Sequence, residues 1–353
     1  KVYKDWHADA TSLNAFLNRI PEDDPYRLER TLPIYVGGDF RYILGQQKGN
    51  VFGDNAGGAE IPEEMEQLTF PMAFDIGVRI RPVREKYSFV FETRFSRGPD
   101  KKDILDLFTA SAVARSAYFI ADDLAYNSWV MAGIYRPMFG HYTPDHTSLS
   151  QTITGFGQDM RYKAVGVGSA PNVPFINVHA IESISTTDNE KGIIANVGGR
   201  FVTLSASIKL SVFKTTKDFA VGPTIFPLNK SVVALSGGLM KGKNIFNFET
   251  TAFNIEPEAN KINSGSVYTF EYKRRLKKEH YFMLNYALSN TATDGNKGDA
   301  SEIMTGAKSF LYPGVEVEAL YIKRFERIAD LQLSGNEQNN ERDTIQVQLH
   351  LFF

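Results

Sequence analysis

The sequence predicts an all-β fold: a transmembrane, antiparallel, up-and-down β-barrel of about 16 strands, within a range of roughly 14–18. Three observations predict it. Apolar and polar residues alternate at period two along stretches of about ten residues, repeated through nearly the whole chain. The polar register of those stretches carries charges, so that face needs water. Short and long connections also alternate, as when one rim of a barrel faces the periplasm and the other the exterior. A soluble sandwich alternates too, but a meander of about 16 strands is long for one.

The elements follow in chain order. Residues 1–31 fall outside the strand pattern and form a periplasmic amino-terminal extension or plug. They include a helix candidate, DATSLNAFLNRI, with Asp9 or Thr11 as cap, and an acidic run from Pro21 through Glu22, Asp23 and Asp24 to Pro25. The opening KVYKDWHADA is no signal peptide, so export implies a signal already removed. The barrel occupies residues 32–353. In LPIYVGGDFRYIL, Ile34, Val36, Phe40, Tyr42 and Leu44 share one face, opposite Tyr35, Asp39, Arg41 and Ile43. In TFPMAFDIGVRI, the face from Phe70 to Ile80 opposes Ala73, Asp75, Gly77 and Arg79. KYSFVFETRFS sets Tyr87, Phe89, Phe91 and Phe95 against Ser88, Val90, Glu92 and Arg94. VTLSASIKLSV sets Val202, Leu204, Ile208, Leu210 and Val212 against Thr203, Ser205, Ser207, Lys209 and Ser211.

The same texture recurs near Trp129–Tyr135, Phe246–Phe248, Tyr268–Tyr272, Phe282–Leu288 and Val315–Tyr321. Short turns fit Pro82–Glu85, Ala121–Ala125, Ser169–Asn172, Gly198–Arg200, Lys241–Lys243, Lys277–Glu279 and Tyr312–Gly314. Longer polar loops fit Gly45–Leu68, Gly98–Asp106, Phe139–Gln158, Ser185–Lys191, Thr215–Asn229, Pro257–Ser264, Thr291–Gly298 and Ala329–Glu341. GVGSAPN near Gly166 reads as a glycine-rich turn.

Composition narrows the function classes. The 353 residues carry a formal net charge of −2, so nothing points to nucleic acid. The chain has no cysteine, which removes disulfides, thiolate catalysis and Cys-based zinc sites. No stretch approaches the roughly 18 consecutive apolar residues of a membrane-spanning helix. No GxSxG, HExxH, P-loop or dinucleotide fingerprint stands out, and the six histidines are scattered. The sequence points to no cofactor and to no defined turnover, so a non-enzyme is expected, with a barrel enzyme as a third reading behind channel and scaffold.

The chain ends DTIQVQLHLFF, with Ile345, Val347, Leu349, Leu351 and Phe353 in one register and Gln346, Gln348 and His350 in the other. This register, ending on an aromatic, resembles the carboxy-terminal strand of Gram-negative outer-membrane barrels of porin type. The resemblance covers about residues 32–353. It implies an outer-membrane location, contact with lipid and lipopolysaccharide, and Leu351 and Phe353 as a signal to the barrel-insertion machinery. AGIYRPMFGHYTPDHTSL is loosely similar to a strand-to-loop segment in porin-like proteins.

Several residues are functional candidates. Asp39, Arg41, Asp75, Arg79, Glu92, Arg94, Arg115, Arg136, Lys209, Glu271, Lys273, Glu316, Glu318 and Arg324 fall on the inferred inner face. Mixed signs there select polar solutes by size and charge, with weak ion preference. His141, Asp145 and His146 in the Phe139–Gln158 loop have metal-ligand chemistry at irregular spacing. By analogy with porins, that loop folds inward and narrows the pore, with Leu149 and Ile153 as packing points. Tyr87, Tyr118, Trp129, Tyr135, Tyr268, Tyr286 and Tyr321 are candidates for aromatic girdles. The leading function is passive diffusion of small hydrophilic solutes. The alternative is a non-conducting scaffold that docks or sheathes a periplasmic or surface partner, such as an electron-transfer cytochrome. A homo-oligomer is compatible with either.

Overall fold

The computed structural model describes residues 34–49, 66–83, 86–96, 112–141, 149, 154, 160–184, 189–221, 224–257, 263–293, 296–329 and 337–352. Sixteen strands follow one another. The first eight are β1 (Ile34–Lys48), β2 (Glu66–Val83), β3 (Tyr87–Ser96), β4 (Ala112–Leu124), β5 (Ser128–Tyr135), β6 (Tyr162–Ser169), β7 (Pro174–Ser183) and β8 (Lys191–Phe201). The rest are β9 (Ala206–Val221), β10 (Thr224–Lys241), β11 (Asn244–Pro257), β12 (Asn263–Lys277), β13 (His280–Thr293), β14 (Asn296–Tyr312), β15 (Val315–Ala329) and β16 (Glu337–Phe352).

Each strand pairs antiparallel with its chain neighbours, and β16 pairs with β1 to close the barrel. The closing ladder runs from Asp39↔Phe352 to Lys48↔Asp343. Closure is what hydrocarbon demands, because every backbone amide and carbonyl must find a partner within the sheet. The final strand is therefore also a neighbour of the first. Phe353 and residues 1–31 lie outside the described residues, so the structure describes neither the terminal aromatic nor the extension.

Alternation sorts the side chains radially. On β3, Tyr87, Phe89 and Phe91 are exposed outward, while Ser88, Val90, Glu92 and Arg94 are buried inward. On β16, Ile345 and Val347 face outward and Thr344 inward. Apolar groups meet lipid, and polar groups meet the interior, as the period-two pattern dictates. One irregularity has a covalent cause. Arg41 pairs with Ala73 and Tyr42 with Pro71, which leaves Met72 as the extra residue of a bulge. Proline has no N–H to give the ladder, so it belongs where pairing is interrupted.

The element boundaries differ most from expectation in four places, and by a few residues elsewhere, as where β4 runs on to Leu124 and the turn falls at Ala125–Asn127. The Gly198–Arg200 turn is strand: β8 continues to Phe201, and the chain reverses through a 3-10 turn at Val202–Leu204 with Ser205 left-handed. Val202 and Leu204 therefore belong to a turn rather than to the lipid face of a strand. Gly166 and Gly168 of GVGSAPN lie in β6, and the reversal falls after Ser169. The Thr215–Asn229 loop is largely a continuing ladder, paired as far as Val221↔Thr224. Thr291–Gly298 behaves likewise, paired as far as Thr293↔Asn296. Thr, Lys and Asn end the hydrophobic alternation once strands leave the bilayer, but backbone pairing does not need it. The walls are consequently uneven: β5 and β6 have 8 residues each, β10 has 18 and β14 has 17.

Candidate channel interior

Charges crowd one arc of the inner wall. On β2–β4, Asp75 accepts from Arg94 Nε and Nη2 at 2.7 Å each and from Arg115 Nη1 at 2.5 Å. Glu92 lies 3.7 Å from Arg115 and accepts from Ser116 Oγ at 3.3 Å. Arg79 donates to Ser88 Oγ. These groups are all buried, and buried charge is tolerated only when paired. The second group crosses the closing seam. Arg41 meets Asp39 at 3.1 Å, and Asp39 meets His350 Nε2 at 2.9 Å. His350 Nδ1 lies 3.5 Å from Glu316, which pairs with Lys308 at 2.8 Å. This chain of contacts joins β1, β16, β15 and β14 from the inside.

Further round, Lys308 lies 3.7 Å from Glu318, and Arg324 lies 4.0 Å from Glu302 and 3.2 Å from Glu326. Lys273 pairs with Glu271 at 2.8 Å on β12. Arg136 is half-buried, just past the end of β5. Lys209, the remaining charged candidate from the sequence, is buried in an inward register of β9. Glu249, Glu302, Lys308 and Glu326 join these candidates without having been singled out. The strands holding Lys308 and Glu249 carry too little apolar contrast between their two registers to fix inward parity from sequence.

The wall of β4–β12 is richer in apolar groups, with Lys209, Glu249 and Glu271 set among them. Tyr118, Ile120, Trp129, Met131, Tyr135, Tyr162, Ile194, Phe213, Val232 and Val267 belong to one buried cluster that spans β3–β12. This corrects three girdle assignments. Tyr118, Trp129 and Tyr135 point inward, whereas Tyr87, Tyr268, Tyr286 and Tyr321 are exposed outward. The cause lies on the neighbouring strand. Gly168 pairs with Trp129, and a Cβ on it would meet the indole at 2.5 Å. A Cβ on Gly166 would come within 2.2 Å of His179 Nδ1 and 2.7 Å of the Tyr135 hydroxyl. Two missing side chains open the slots that hold Trp129, Tyr135 and His179. Within them the Tyr135 hydroxyl and His179 Nδ1 share a 3.0 Å hydrogen bond.

The segment between β5 and β6 touches this interior at Met138, Phe139, Gly140, His141, Leu149 and Thr154. Phe139 packs edge-on against Phe213, with centroids 6.2 Å apart. Asn196 donates to the Met138 carbonyl at 2.9 Å. Gly140 N–H donates to Ser211 Oγ at 3.1 Å. Lys209 Nζ donates to the Gly140 carbonyl, and His141 N–H donates to Glu249 Oε2. Leu149 is fully buried, and its N–H donates to Glu302 Oε1 at 3.1 Å. Lys230 Nζ donates to the Thr154 carbonyl at 2.9 Å. His141 Nε2 lies 3.9 Å from Glu271. Asp145, His146 and Ile153 fall outside the described residues. Among the described residues no group of three His, Cys, Asp or Glu side chains could hold a metal ion.

No protein-family model and no curated protein matches the chain. Solved structures do. The outer-membrane channel DcaP of Acinetobacter baumannii aligns with a TM-score of 0.66 at 13% identity, covering 91% of this chain and 97% of that one. An anion-selective porin from Comamonas acidovorans aligns at 0.62 and 10% identity, over 91% and 99% of the two chains. OmpT in its trimer form, an outer membrane protein of Vibrio cholerae, aligns at 0.62 and 11% identity, also over 91% and 99%. At such identities the likeness is one of fold. It agrees with a closed sheet whose apolar face is outward and whose charges are inward. The chain is an outer-membrane β-barrel of sixteen antiparallel strands with the porin fold.

Proposed function

We propose that the barrel is a channel for passive diffusion of small hydrophilic solutes, narrowed by the segment between β5 and β6. The observation that carries this reading is the anchoring of that segment. Backbone groups of Met138, Gly140, His141, Leu149 and Thr154 are bound by side chains from β8, β9, β10, β11 and β14. A segment held that way occupies cross-section on the apolar side. It leaves the charged arc of β1–β4 and β14–β16 as the wall for solutes to follow. Because both signs alternate along that arc, weak ion selectivity is expected. The six histidines and the acids are assigned no turnover in this reading.

Purified protein in planar bilayers tests the proposal. Steady single-channel conductance of porin size is the expected result. A stably inserted but silent barrel would sink it and favour the scaffold that docks a periplasmic or surface partner. The same recording on a chain lacking residues 1–31 separates plug from extension: raised conductance marks a plug, and unchanged conductance marks an extension.

A further inference from the structure

Lys209, Ser236 and Glu249 form one row on the inner wall. Lys209 on β9 and Glu249 on β11 each pair with Ser236 on β10. All three are buried. Strands lie about 4.8 Å apart, so the two charged residues are separated by about 10 Å at the backbone, with only a serine between them. That gap holds one peptide group. Lys209 Nζ donates to the Gly140 carbonyl, and Glu249 Oε2 accepts from the His141 N–H. Those two backbone atoms belong to the same peptide bond. A cation therefore sits on its oxygen and an anion on its hydrogen.

The arrangement is directional. A peptide unit carries a dipole of about 3.5 D, and here both charges lie at the ends that favour it. Both contacts are charge-assisted and shielded from water, where such bonds are strongest. Gly140 makes the approach feasible. Its φ is +58°, in the left-handed region, and a Cβ there would lie 2.5 Å from Glu249 Oε2. Ser211 takes the Gly140 N–H at 3.1 Å, so two consecutive peptide groups are held.

We infer that the Gly140–His141 peptide group is a directional anchor of the segment on the wall, gripped at its two ends by Lys209 and Glu249 as positioning residues, beside the single contacts at Met138, Leu149 and Thr154. Its consequence for pore aperture rests on the channel reading above; its consequence for the segment's position does not.

Charge exchange tests the inference. In the double variant Lys209→Glu and Glu249→Lys the two charges remain, and an ordinary ion pair would survive. A grip on a peptide would not, because an anion would face the carbonyl and a cation the N–H. Folding is checked by heat-modifiable electrophoretic mobility, and Lys209→Met serves if the exchanged chain fails to assemble. Two measurements are made: amide hydrogen exchange over residues 137–141, and single-channel conductance. The expected results are exchange faster by about ten-fold or more and conductance raised by roughly two-fold. Faster exchange in a barrel silent before and after exchange retains the grip and removes the channel reading. Faster exchange with unchanged wild-type conductance removes the effect on aperture. Unchanged protection overturns the inference.

Discussion

Asp75→Asn isolates the value of the charged arc. The carboxylate takes two bonds from Arg94 at 2.7 Å and one from Arg115 at 2.5 Å, and all three residues are buried. Asparagine keeps one acceptor oxygen and turns an NH2 toward a guanidinium. At least one charge-assisted bond is lost, at about 1.5–3 kcal/mol each. Two guanidiniums are also left without their shared counter-charge, so the total cost is about 3–5 kcal/mol. The control is Asp299→Asn. Asp299 meets Arg327 at the same 2.7 Å, but those side chains are 50% and 55% exposed. Solvent screening limits that loss to below about 1 kcal/mol. Reversible denaturant unfolding in lipid vesicles, followed by tryptophan fluorescence, reads both. Equal losses for the two variants would refute the argument, because they would show that burial does not govern the strength of these pairs.

Other expectations follow from the radial sorting of side chains. Gly166→Val should cost about 1–3 kcal/mol, since the added atoms collide with His179 and Tyr135; an unchanged unfolding midpoint would contradict the packed slot. Phe91→Arg, which places a charge on the lipid face, should cost about 2–4 kcal/mol at mid-bilayer depth, and vesicle-insertion yield and unfolding would register it. If that variant inserts and unfolds as the parent does, the assignment of inside and outside on β3 fails.

The fold was legible wherever the two registers of a strand differ in chemistry. Phe89 and Phe91 against Glu92 and Arg94 leave one orientation only, because a charge on the lipid face costs several kcal/mol. The same contrast placed Asp39, Arg41, Asp75 and Arg79 inward. Parity fails where both registers are apolar. In SWVMAGIY, Trp129, Met131 and Tyr135 alternate with Val130, Ala132 and Ile134, and hydropathy cannot say which set meets lipid. The deciding signal sits in the next strand, where Gly166 and Gly168 leave room for large rings on the inner face. Read as a turn, those glycines conceal it. The end of β8 and the long ladders of β9 and β10 fail for a related reason, since polar residues can keep a backbone ladder going above the bilayer.

The apolar groups on the inner side of the β4–β12 wall are the ground on which the described residues between β5 and β6 pack. Phe139 and Leu149 need apolar ground to pack on, and Phe213, Val232 and the rings of Tyr135 and Tyr162 supply it. Apolar contact alone would let the segment slide, because burial is non-directional. Direction comes from the polar groups set into that ground: Asn196, Lys209, Ser211, Lys230 and Glu249, each of which binds a main-chain atom rather than a side chain. The position of the described backbone is set by the wall, on β8–β11 and β14, in residues that lie outside the loop's own sequence.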